Sequence, residues 1–154
     1  MISIVMAVLS ALSADAHAIP SAAPCAVQGV WMLESVTNDG KAEPLGQRRQ
    51  LKIITPTHYA WVSQEPGPGS LRSPADSLAA YRTSGFGGGT YRVTDSTYVE
   101  RLDYFYDPTY LKREVVIGCR MVGNRWHATF QWPVMVNGRE TRRANVEEVW
   151  RRAQ

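Results

Sequence analysis

Apolar and polar positions alternate with a period of two through most of the chain after residue 28, the pattern of strands with one face buried and one wet. The spacing predicts strands at Val30–Thr37, Arg48–Ile54, Thr57–Gln64, Thr90–Thr94, Thr97–Tyr106, Lys112–Val122, Arg125–Val136 and Arg139–Arg151. Faces follow from the alternation. Trp126, Ala128, Phe130 and Trp132 form one apolar row, which sets His127 on the opposite face. Tyr59 and Trp61 read as inward and His58 as outward. Tyr98, Glu100, Leu102, Tyr104 and Tyr106 share a side, as the amphipathic and aromatic wall of a cavity would, while Val99, Arg101, Asp103 and Phe105 share the other.

Turn chemistry separates these strands. Asn38-Asp39-Gly40-Lys41, Gly123-Asn124 and Asn137-Gly138 are hairpin signals, because Asn, Asp and Gly accept the backbone geometry that tight turns demand. Thr55-Pro56 ends a ladder, since proline lacks the donor. Glu65–Ser84 is different in kind: three prolines and several glycines and serines interrupt any strand, with room for a short helix only at Ala75–Tyr81. A loop of this length is expected at a barrel mouth. Gly85–Gly89 is read as a bend leading into the strand at Thr90 rather than a phosphate loop, for no Lys-Ser/Thr follows it. About eight strands joined in sequence imply an all-β, antiparallel up-and-down barrel.

The ends of the barrel have their own signature. Gly29 stands two residues before Trp31 at the start of the first strand, and Glu148-Val149-Trp150-Arg151-Arg152 closes the last. If first and last strands are neighbours, Trp31 plugs one end and Arg151 or Arg152 lays its guanidinium over the indole, with Gly29 leaving room for the backbone to come close. Composition agrees with one domain of this kind: 154 residues, with five Trp and seven Tyr that favour pleated surfaces. The net charge of +3 comes from arginines scattered through every strand, a pattern that argues against nucleic acid as a partner. Arg139, Arg142, Arg143, Arg151 and Arg152 gather near the end of the chain, but without the interleaved aromatics of a single-strand binder.

The motifs Gly29-x-Trp31-x-Leu33-x-Ser35, Gly87-Gly88-Gly89-Thr90-Tyr91, Tyr98-x-Glu100 and Glu148-Val149-Trp150-x-Arg152 resemble those of the short lipocalin-like, calycin-type barrels of bacteria, over most of residues 29–152. The resemblance implies a small apolar molecule held in the barrel. True lipocalins carry a Thr-Asp-Tyr motif that this chain lacks; Leu102-Asp103-Tyr104 is a partial echo.

Three further expectations concern compartment and chemistry. An apolar run from Ile2 to Leu12, followed by Ala16-His17-Ala18, reads as an export signal over residues 1–18, although no basic residue precedes it; residues 19–28 then form an extended arm. The run is too short for a permanent membrane span. In an exported protein the two cysteines, Cys25 and Cys119, pair as a disulfide. No metal or cofactor is expected, because neither His58 nor His127 has a ligand-spaced partner, and no nucleophile elbow occurs. The chain is thus read as a periplasmic or secreted binder of a small apolar or amphipathic molecule among Trp61, Tyr91, Tyr98, Leu102, Tyr104 and Trp132, with Glu100 orienting a polar group. Two alternatives stand beside it: a small isomerase, cyclase or hydrolase using Glu100 for proton transfer, and a structural barrel whose interior is filled.

Overall fold

The computed structural model describes residues 25–67 and 69–153; the export-signal reading and most of the arm lie outside the described residues. Ten strands run in chain order: β1 (Gly29–Asn38), β2 (Lys41–Glu43), β3 (Arg49–Ile54), β4 (His58–Gln64), β5 (Ser84–Val93), β6 (Thr97–Arg101), β7 (Tyr104–Phe105), β8 (Glu114–Val122), β9 (Arg125–Val136) and β10 (Arg139–Arg152). Eight positions of the wall are filled antiparallel in the order β10-β9-β8-β6-β5-β4-β3-β1, and β1 pairs β10 to close the barrel. The short β2 adds a hairpin to the far half of β1, and β7 continues the β6 position along β5. Asp39 and Gly40, like Asn137 and Gly138, hold positive φ in the two-residue turns that the sequence signalled.

Two expected strands differ from what forms. The glycine run is not a bend before a strand but part of β5, which starts at Ser84. The glycines are there because the neighbouring strand crowds in: a Cβ on Gly87 would stand 2.4 Å from Trp61 Nε1, and one on Gly88 would stand 2.9 Å from the Tyr59 carbonyl.

The predicted single strand Thr97–Tyr106 is broken after Arg101. Tyr91 pairs Glu100, yet Gly88 pairs Tyr104, so three steps along β5 oppose four along the partner. The extra residue is a bulge, and it inverts the alternation beyond it. Asp103 fastens the bulge by donating its N–H to the Gly88 carbonyl (3.0 Å) and accepting from Thr90 N–H (3.2 Å). Gly89 permits it, since a Cβ there would lie 2.0 Å from the Arg101 carbonyl oxygen. Leu102 therefore remains inside, Phe105 turns in, and Tyr104 turns out to 72% exposure.

The long loop carries α1 (Pro74–Arg82), one residue longer at each end than expected. Ser73 caps it by accepting from Asp76 N–H (3.1 Å), and Pro74 occupies the first turn, where no backbone donor is missed. Tyr81 ties the helix to the barrel rim through its hydroxyl, which donates to the Tyr106 carbonyl (2.6 Å).

The core fills one end of the barrel. Trp31, Tyr98, Trp126 and Trp150 are fully buried there, with Trp126 in contact with the other three at centroid separations of 5.3–6.2 Å. Arg152 rather than Arg151 covers Trp31, 4.3 Å from the ring, while donating to the carbonyls of Gln28 (2.8 Å) and Ala26 (3.2 Å). Gly29 is required beside it: its φ is +130°, and a Cβ would meet Arg152 Nη1 at 2.4 Å. Arg151 faces outward and pairs Glu34 (3.0 Å), which Arg125 also holds (2.6 Å).

A Cys25–Cys119 disulfide pins the arm beneath this end to β8, across 94 residues of sequence. A Cys25→Ala/Cys119→Ala variant should lose about 2–4 kcal/mol, because its unfolded chain regains the freedom the cross-link removes. Urea unfolding checks this. An unchanged midpoint would show that Arg152 and Trp31 hold the arm unaided.

Candidate functional site

The other end of the barrel is not filled. A cavity of about 480 Å³ opens there, reaching from the mouth, where Glu65 and the Arg82–Gly85 segment stand, down to Lys52 and Glu100. Its two sides differ in chemistry. One is aromatic and aliphatic, and includes Trp61, Leu102, Phe105, Phe130 and Trp132. These rings contact each other: Phe105 lies 5.7 Å from both Trp61 and Trp132, and Trp132 lies 6.3 Å from Phe130. The other side is polar and is supplied mainly by β3 and β10, through Arg48 just ahead of β3, Gln50, Lys52 and Glu148.

Lys52 is the floor of the polar side. Gln50, Lys52 and Ile54 face inward in β3, which leaves Ile53 44% exposed on the outside. A buried ammonium needs compensation. Its Nζ donates to Glu100 Oε1 at 2.8 Å, and it stands 4.9 Å from the Trp150 ring, 5.3 Å from Trp126 and 5.9 Å from Tyr59. Lys52 and Glu100 are 4% and 5% exposed, so water does little to screen them. Glu100 thus has a cationic partner, Lys52, from across the barrel.

That ion pair acts on its neighbours. Burial, followed by the Glu100 charge, pushes the Tyr98 and Tyr59 phenols far above the usual tyrosine range, so both remain neutral donors. Tyr59 donates to the Arg101 carbonyl (3.3 Å), whereas the Tyr98 hydroxyl is buried without a hydrogen-bond partner among the described residues.

Glu148 is the second carboxylate of the interior. It projects inward because it is in phase with the buried Trp150 on β10. One of its oxygens, Oε2, accepts from Trp150 Nε1 at 2.9 Å. Burial raises its pKa, and this outweighs the pull of Lys52 and of the Trp150 hydrogen bond in the opposite direction, while Glu100 adds to the rise. Arg48, nearby at the mouth, is 4.0 Å from Glu43 and keeps a buried Nε without a hydrogen-bond partner among the described residues.

The residues singled out from sequence separate into three groups. Trp61, Glu100, Leu102 and Trp132 line the cavity. Tyr98 and Tyr91 belong to the closed-end core instead: their rings are 5.0 Å apart, and the Tyr91 hydroxyl donates to the Thr55 carbonyl (2.6 Å). Tyr104 is outside the barrel, moved there by the bulge, and Phe105, read from sequence as facing the other way, takes the inward place expected of Tyr104. Sequence reasoning passed over Lys52, Glu148 and Phe105 as wall residues, and set Phe130 in an inward row without assigning it to the cavity. For Glu148 the signal was present, two positions before an inward tryptophan.

Among the described residues no group of three His, Cys, Asp or Glu side chains converges as a metal site would require, and no helix is long and apolar enough to cross a membrane. No family model and no curated protein matches the chain.

Proposed function

We propose that the protein is an exported, lipocalin-like binding module that holds a small amphipathic molecule in the open end of its barrel. The cavity carries this reading: a volume of about 480 Å³ with one aromatic side and a few placed polar groups has the size and composition of a ligand site, and it does not suit a barrel that serves only as a solid scaffold. The disulfide favours export, since such bonds persist in oxidising compartments. The exterior arginines support a small-molecule partner over nucleic acid, because Arg142 pairs Asp39, Arg143 pairs Glu140, and Arg125 and Arg151 share Glu34, leaving no open basic stripe along these strands. The enzymatic alternative, proton transfer by Glu100, is less well supported, as Lys52 already occupies Oε1 and makes that carboxylate a counter-ion.

A neutral apolar dye tests the reading. N-phenylnaphthylamine should bind with a dissociation constant near micromolar, about 8 kcal/mol, with enhanced fluorescence. Ser63→Trp, which puts an indole into the cavity wall, should abolish binding. Tyr104→Ala, on the exterior, should leave binding unchanged. Absence of dye binding to the wild type would remove the binding role, and loss of binding in Tyr104→Ala would move the site to the outer surface.

A further inference from the structure

The charges lining the cavity do not cancel. Glu43, Glu65, Glu100 and Glu148 face Arg48, Lys52 and Arg82, four carboxylates against three cations. The deepest cation is committed, since Lys52 gives its short contact to Glu100 and is boxed in by aromatic rings. Glu148 is left with a single neutral hydrogen bond, from Trp150, and forms no ion pair among the described residues. Glu148 is half-buried, faces the hollow and lacks an ion-pair partner among the described residues, so a cation placed in that hollow gains a charge-assisted contact there. The opposite side offers Trp61, Phe105 and Trp132, whose faces attract cations and whose area suits a flat apolar body.

From this juxtaposition we propose that the ligand is an amphipathic amine, a protonated alkylammonium attached to a planar apolar body, with the ammonium donating to Glu148 and the body lying against Trp61, Phe105 and Trp132. The proposal rests on the binding reading above and specifies its ligand class. An anionic ligand would have to share the hollow with Glu148, and the deepest cation, Lys52, is already paired with Glu100; Arg48 at the mouth is the competing anchor it would have, and the propanoate probe reads that competition.

Three probes of one shape separate the possibilities: naphthylethylamine, naphthylethanol and naphthylpropanoate, titrated calorimetrically into the full chain at neutral pH. The amine should bind about ten- to a hundredfold more tightly than the alcohol, as a charge-assisted hydrogen bond in a half-buried site implies, and the propanoate should be weakest. Glu148→Gln keeps size and polarity but removes the charge; it should erase the amine's advantage and leave the affinity for the alcohol unchanged. Equal binding of amine and alcohol, or an amine preference that persists in Glu148→Gln, overturns the inference while the binding role stands. The inference also falls alone if all three probes fail where N-phenylnaphthylamine binds. If that neutral dye fails as well, the binding role itself is lost.

Discussion

Replacing Trp31 by alanine should lower the stability of the protein by about 3–5 kcal/mol, the range for emptying a core tryptophan site. The indole does three things that alanine cannot. It fills fully buried space against Trp126 (5.8 Å), donates its Nε1–H to the Val27 carbonyl (2.6 Å), and gives Arg152 a face to lie on. Its loss leaves a void, a buried carbonyl without a donor, and a guanidinium whose remaining contacts are two backbone oxygens of the arm. Trp31→Phe should restore part of the stability by refilling the space without the hydrogen bond. Urea denaturation followed by far-ultraviolet circular dichroism measures both variants. A midpoint for Trp31→Ala within error of the wild type would show that the seam between β1 and β10 holds without its plug.

The second large effect is at the cavity floor. Lys52→Met should cost about 3–5 kcal/mol, because it strands the Glu100 charge where only 5% of the residue is exposed. The size of that loss does not measure what the pair contributes; it measures the expense of leaving one member alone. The double variant Lys52→Met/Glu100→Leu should therefore recover most of the stability lost by Lys52→Met, through apolar packing against Trp126, Trp150 and Tyr59. If the double variant were no more stable than Lys52→Met alone, an unpaired Glu100 would not be the source of the loss. The contacts of the lysine stem would then be responsible.

What could be read from the chain was whatever depended on residues close together in sequence. Alternation along Arg125–Val136 placed Trp126, Ala128 and Phe130 correctly, and Asn-Gly at 137–138 marked its hairpin, since both are properties of one strand or one turn. The all-β barrel with β1 beside β10 followed from counting such strands and from the paired Gly29-x-Trp31 and Trp150-x-Arg152 motifs. The misplacement of Tyr104 has a different origin. The bulge at Leu102–Asp103 is imposed by the partner strand, where Gly88 and Gly89 make room for it, and alternation within Thr97–Tyr106 alone carries no sign of it. Lys52 was hidden for a related reason. In Arg49–Ile54 the apolar Leu51 and Ile53 invite the opposite face assignment, and only a carboxylate on β6, 48 residues away, makes an inward lysine tolerable. Ion pairs across a barrel are legible only once the barrel exists.

The wall of this barrel is built almost entirely from strands that follow one another along the chain, so most can form as a hairpin or short loop closes, and β5 as the one long loop does. The seam is the exception. Arg152 meets Gln28 across 124 residues, and β1 finds β10 only when everything between them has taken its place. Closure is therefore expected to come last in assembly, with the contacts of Trp31, Gly29 and Arg152 contributing little to the folding transition state. Interactions absent there act on the rate of unfolding and leave the folding rate almost untouched. The seam is thus a latch whose strength sets how long each molecule stays shut, and the disulfide, by tethering Cys25 to a strand in the middle of the wall, keeps the latch near its catch whenever it slips.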